Sequence, residues 1–297
     1  MISPIFGELW DEPWLNILQM AVASGSFILN VILLLANYRR ENTRWATDGI
    51  LCTITGLADC TIAMYVMLST AARTFDHTLL YDDSTWCRIN YIVGRTMGLA
   101  CLDVAALLSL VRYLVIVRGH APHPRGWACV ALSLLALIAT VTFEHSRNST
   151  IYVFPTKLYC SPVNERNSLL LLSILIQVLG ILPLFVIPFC YARVSLHYVK
   201  IASRLSVQPQ LRSKIFGICI MATAYILAFA PDYIIFGLLN YFYILPTPLL
   251  TGLASCISGC VSLLNAIFPL LYHTEIRQNA LDLFSHKVSR HTTFIQY

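Results

Sequence analysis

Residues Cys87–Arg118 read CRINYIVGRTMGLACLDVAALLSLVRYLVIVR. The run is mostly apolar, holds no proline, opens on a cysteine and closes on basic residues. At about 1.5 Å of rise per residue, a single helix would set Cys87 and Arg112 roughly 37 Å apart. The hydrocarbon core of a bilayer is about 30 Å thick. A tilted helix here would bring Cys87 to one membrane surface, placed for a disulfide, and Arg112 to the other, placed for a charged contact.

The rest of the chain has the same character. Of its 297 residues, 57% are hydrophobic and 12% charged, where soluble domains carry about 25% charged residues. This predicts a polytopic membrane protein with no separate soluble domain. The formal net charge of +5 is not a nucleic-acid signature, because in a membrane protein the placement of charge matters more than its sum. The N-terminal MISPIFGELWDEPW is acidic and lacks a basic leader region, so no cleavable signal peptide is expected and the first span serves as signal anchor.

Apolar runs predict seven helical spans near 15–37, 46–71, 87–115, 127–144, 168–195, 214–240 and 246–272, each long enough to cross a bilayer. The fourth is the shortest. The expected fold is all-α: residues 1–14 as an extracellular N-terminus, 15–272 as a seven-helix bundle, 273–297 as an amphipathic helix and tail. In that last segment Ile276, Ala280, Leu281 and Phe284 are spaced for one face of a short helix lying at the membrane interface. It holds no cysteine for a palmitoyl anchor.

Most of the 20 lysines and arginines fall on one side. Arg39, Arg40, Arg44, Arg118, Arg125, Lys200, Arg204, Arg212, Lys214, Arg277, Lys287 and Arg290 lie in alternate loops and the tail. Glu8, Asp11, Glu12, Asp76, Asp82, Asp83, Glu144 and Glu165 lie opposite. The positive-inside rule then puts the N-terminus outside and the C-terminus in the cytoplasm, in the plasma membrane. The sequon at Asn148 falls on the predicted outside, as a glycosylation acceptor. Eight of the ten cysteines lie in predicted spans, as small packing residues. Cys87 and Cys160 are both at the predicted outer face, where oxidation is permitted. They are expected to be bridged, tying the 145–166 loop over helix 3; the alternative is two free thiols.

Taken together, the seven spans, the outer cysteine and Arg112-Tyr113 at the inner end of helix 3 resemble a rhodopsin-like (class A) G-protein-coupled receptor. The resemblance extends along nearly the whole chain: Asn30 in helix 1, Asp59 in helix 2, Cys87 and Arg112 in helix 3, Trp127 in helix 4, Pro183 and Tyr191 in helix 5, Pro231 in helix 6, and Pro269 and Tyr272 in helix 7. Three positions depart from the pattern. Val111 stands where the family has an acidic residue, Phe229 where it has tryptophan, and Phe268 where it has asparagine.

The resemblance implies a heterotrimeric G-protein as partner, met by Arg112 and Tyr113 with Tyr191 and Tyr272, besides a small-molecule ligand and membrane lipid. Without an acid at position 111 that local pairing is lost and the resting restraint is weaker, which implies some basal activity; the plainer reading of Arg112 is interfacial snorkelling, and of the tyrosines, interfacial anchoring. Asp59 with Asn30 and Asn265 forms either a sodium site or a polar hydrogen-bond cluster; Cys101 and Phe268 replace oxygen donors. The implied ligand cavity holds Gly94, Arg95, Gly98, Asp232, Tyr233, Phe236 and Ser258, with Leu175 and Leu179 from helix 5, and is otherwise apolar. An ionisable residue inside a membrane marks a site by default. Arg95 and Asp232 either pair with each other or meet a ligand charge. Gly94 replaces the aspartate of amine receptors, so a small lipophilic or weakly acidic ligand fits better.

Lys157, Lys200, Lys214 and Lys287 lie outside the predicted spans, and Ser262 stands at the usual helix 7 lysine position. No retinal Schiff base, and no other cofactor or metal, is expected. A seven-helix transporter or channel is the alternative, but no internal repeat is visible. An enzyme is not expected, since the histidines fall in loops and the tail and no nucleophile–base set falls within the spans.

Overall fold

The computed structural model describes residues 13–38, 47–75, 81–120, 123–153, 160–163, 170–204, 217–235 except 218, 222 and 232, 247–272 and 274–284. The helices are α1 (Pro13–Tyr38), α2 (Thr47–Phe75), α3 (Thr85–Arg118), α4 (Pro124–Asn148), α5 (Leu170–Arg204), α6 (Cys219–Ile235), α7 (Pro248–Tyr272) and α8 (Thr274–Phe284). Two short strands, β1 (Thr150–Val153) and β2 (Cys160–Val163), lie between α4 and α5. Among the described residues, six helices are long and apolar enough to cross a membrane, and α6 is a shorter apolar one at the place of the sixth expected span. Large apolar side chains such as Ile17, Leu171, Phe185 and Leu227 face outward. So much exposed hydrocarbon suits a lipid surround.

Helix α3 runs through the middle, packing against α2, α4, α5 and both strands. Its ends are set locally. The Ser84 side chain accepts from the Cys87 backbone N–H at 3.1 Å, which satisfies one of the orphan donors of a helix N-terminus. At the other end Gly119 takes φ 65°, the left-handed conformation that glycine adopts without strain, and His120 N donates to the Leu114 carbonyl. The central core joins Leu99 and Leu102 to Ile138, Ile176, Tyr225, Phe229 and Val261.

Several expectations are corrected. The fourth span does not stand out as the shortest: α4 and α7 both run 25 residues. Pro124 stands at its start, where a missing N–H costs nothing, and the polar turn Glu144–Asn148 continues the helix past the apolar run. His145 is thereby carried into the bundle rather than a loop, and it is fully buried. His197 also falls within a helix, α5. The 145–166 stretch is in part an antiparallel hairpin, with Val153 opposite Cys160. Helix α8 turns Ile276 and Ala280 into the bundle against Leu33, Ala36 and Ala266, while Leu281 faces away. Asn279 Nδ2 donates to the Ala36 carbonyl at 3.2 Å and pins α8 to α1.

Candidate functional site

The hairpin roofs a cavity of about 230 Å³. A disulfide joins Cys87 to Cys160 with the Cα atoms 5.5 Å apart. Asn90 Oδ1 accepts from Cys160 N at 3.1 Å, Asp82 Oδ1 accepts from Val153 N at 2.9 Å, and Asp83 N donates to the Ile151 carbonyl at 2.7 Å. The segment before α3 thus grips β1, and α3 itself grips β2.

Below this roof, Gly94, Arg95 and Gly98 face the cavity from α3, Tyr233 from α6 and Ser258 from α7. A Cβ added at Gly94 or Gly98 would meet nothing within 4 Å, so these glycines are cavity volume rather than close-packing points. The Arg95 guanidinium carbon sits 5.1 Å from the centroid of the Tyr233 ring, a cation–π distance. Asp232 and the Phe236 side chain lie outside the described residues.

The wall differs from the expected one. Leu175 and Leu179 pack against the central core instead of lining the cavity. Their place is taken by α1, α2 and α7, through Gln19, Ser26, Tyr65, Ser69, Ser255 and Ser262. The cavity is consequently more polar than expected. A helix that is apolar all round gives no periodicity from which to read its inward face, so this shift was not legible in the sequence.

The floor is Asp59. Its Oδ2 accepts from Asn265 Nδ2 at 2.8 Å, and Asn265 Oδ1 accepts from the Tyr225 hydroxyl. Asp59 Oδ1 has no hydrogen-bond partner among the described residues. Asn30 does not reach this carboxylate. Its Nδ2 donates to the carbonyls of Ser26 and Ser262, both at 3.0 Å, and the Ser26 and Ser262 hydroxyls bond each other. Asn30 therefore clamps α1 to α7. Ser262 contributes to this clamp, and no lysine lines the cavity among the described residues. Nor, among those residues, do three or more His, Cys, Asp or Glu gather as a metal site.

Behind the cavity wall, Tyr91, His145 and Ser173 form a buried polar chain across α3, α4 and α5. The Tyr91 hydroxyl is 2.8 Å from His145 Nδ1 and the Ser173 hydroxyl 3.0 Å from Nε2. A serine–histidine contact within the spans was not expected, because His145 was assigned to a loop. Ser173 and His145 are both fully buried, and the chain ties the three helices together.

At the far end of α3, Arg112 Nη1 donates to the Tyr191 hydroxyl at 3.1 Å. Val111 points elsewhere, buried with Leu51, Val104 and Ala131. Tyr113 turns to the outer face of α3, its ring centroid 6.4 Å from that of Phe189 and its hydroxyl accepting from Arg118 Nε at 3.1 Å. The Tyr272 side chain lies outside the described residues. Asn148 is exposed at the end of α4, its Nδ2 donating to the Glu144 carbonyl at 2.8 Å.

Among solved structures, the fold is similar to that in the crystal structure of squid rhodopsin, with a TM-score of 0.70 and 14% sequence identity over 96% of this chain and 89% of that one. The chain thus has the all-α rhodopsin fold, which is the architecture of the family its sequence resembles. No protein-family model matches the sequence, and no curated protein matches it.

Proposed function

We propose that this chain is a plasma-membrane receptor that passes the binding of an extracellular small molecule to a heterotrimeric G-protein. One arrangement carries the reading. The single helix α3 holds a hairpin-roofed cavity at one end, through Cys87, Asn90, Gly94 and Arg95, and the Arg112–Tyr191 contact at the other. A ligand that shifts α3 at its cavity end also moves the arginine. The rhodopsin fold supports this reading over an enzyme.

The proposed orientation is N-terminus outside, with residues 1–14 extracellular, the hairpin facing out, Asn148 as glycosylation acceptor and the segment from 273 cytoplasmic. The G-protein would meet Arg112 and Tyr113 with Tyr191 and Tyr272. Basal activity follows from Val111, which packs away from Arg112 and offers it no carboxylate.

The ligand would be small and largely lipophilic, with an acidic or acceptor group for Arg95, since about 230 Å³ lies below the range of about 300–1,000 Å³ for drug-sized sites. Gly94, Gly98, Tyr233 and Ser258 would contact it, joined by Asp232 and Phe236. Asp59 would serve as a polar floor rather than a sodium site. Among the described residues one carboxylate oxygen has no hydrogen-bond partner there, but a thiol at Cys101 and a phenyl ring at Phe268 do not supply the oxygens a hard cation needs. No retinal or other cofactor is required.

The test is nucleotide exchange on added heterotrimeric G-proteins by the protein in vesicles, across a ligand panel. The expected result is exchange that Arg112→Ala abolishes and, with ligand, Arg95→Ala shifts to higher concentration. Solute flux with no exchange on any G-protein would replace the receptor with a transporter.

A further inference from the structure

A second concavity lies on the membrane face of the bundle, between α5 and Tyr233 of α6, with a volume of about 450 Å³. Ile174, Val178, Ile181 and Phe185 line it from one stripe of α5, and all are exposed. Beside that stripe, on the side toward buried Ser173, stands one polar residue. Gln177 lines the groove but is only 5% exposed, and its Nε2 has no hydrogen-bond partner among the described residues. A buried N–H without an acceptor is costly, and in hydrocarbon no water can fill the gap. The groove is thus an apolar track with one buried donor, unsatisfied among the described residues, just behind its wall.

We propose that this groove is a binding site for an acyl-chain lipid whose ester carbonyl accepts a hydrogen bond from Gln177 Nε2. The chemistry matches on both sides: an ester carbonyl only accepts, and the amide nitrogen only donates. A sterol hydroxyl could also accept from this nitrogen, so the test below includes cholesterol as a competitor. The length also matches. Ile174 to Phe185 spans about 16 Å of helix, close to one leaflet of a hydrocarbon core about 30 Å thick. Tyr233 closes the inner side of the groove and lines the central cavity as well. The site does not depend on the signalling reading or on which end of the bundle faces out.

The experiment uses the full chain in vesicles of ether-linked phosphatidylcholine, which lack ester carbonyls. A monoacyl ester phosphatidylcholine with a photoreactive group in its chain is compared with its ether analogue, and labelled peptides are mapped. The expected result is saturable labelling within residues 174–185, about five- to tenfold stronger for the ester probe, the effect of one net hydrogen bond. Gln177→Leu should erase that preference. Equal labelling by the two probes on the unaltered protein would overturn the proposal and leave only annular lipid, and that comparison needs no variant to fold. Displacement by cholesterol but not by unlabelled ester lipid would overturn it in favour of a sterol.

Discussion

Arg112 and Tyr191 are joined by a hydrogen bond of 3.1 Å from the guanidinium to the phenol, which links α3 to α5 at the end of the bundle opposite the disulfide. An arginine within a membrane helix is costly unless it pairs or reaches the interface. Tyr191 is part of that pairing. Tyr191→Phe keeps the ring and removes the acceptor. It is expected to lower ligand-independent nucleotide exchange about five- to tenfold, corresponding to a net bond of about 1 kcal/mol. Arg112→Ala should bring exchange to background. Unchanged exchange in Tyr191→Phe would show that the bond plays no part in signalling.

The Cys87–Cys160 bridge closes a long loop, with a sequence separation of 73. A native disulfide typically contributes about 2–4 kcal/mol, mainly by restricting the unfolded chain. Cys87→Ser, Cys160→Ser and the double variant should all lower the midpoint of thermal unfolding in detergent by the same amount. Reductant should lower that of the unaltered protein to match. The hydrogen bonds that Asn90 and Asp82 accept from the hairpin backbone remain in every case, so the roof loosens rather than leaves.

Gly94 and Gly98 separate stability from binding. Alanine at either position meets open space and removes the entropic cost of glycine in a helix, about 0.5–1 kcal/mol. Gly94→Ala and Gly98→Ala should therefore melt at or above the parent temperature. Gly98→Val should weaken an activating ligand at least tenfold in a concentration–response series, because its side chain takes cavity volume. A loss of folding in the alanine variants would mean that a neighbour occupies this space.

His145 tests the buried tie. Replacing it with phenylalanine deprives the Tyr91 hydroxyl of its partner at 2.8 Å. A buried hydroxyl left unpaired costs about 1–3 kcal/mol. His145→Phe should lower the thermal midpoint accordingly, and adding Tyr91→Phe should recover part of the loss. Non-additivity in this double-mutant cycle would measure the coupling.

What the sequence disclosed follows from its physics. Span lengths are legible because a bilayer demands long apolar runs, and Cys87, Arg112 and Tyr191 carry chemistry unusual for their surroundings. Helix ends are less legible. Polar residues such as Glu144 and His145 read as loop until the bundle supplies partners like Tyr91 and Ser173. The hairpin carries no turn signal between Val153 and Cys160 strong enough to announce it. Inward faces are the least legible. Leu175 looks no different from a cavity-lining leucine until α5 packs it into the core, and nothing in the α1 sequence marks Gln19 and Ser26 as cavity wall.

Gly180 and Tyr233 have a mechanical consequence. A Cβ at Gly180 would lie about 2 Å from the phenol of Tyr233, so the ring occupies the notch that the missing side chain leaves in α5. Helix α6 cannot slide or turn along α5 at that level without first lifting the ring out. Because packed interfaces switch between discrete settings instead of deforming smoothly, a shift of α6 along α5 would have to come in steps, with Gly180 and Tyr233 as the detent.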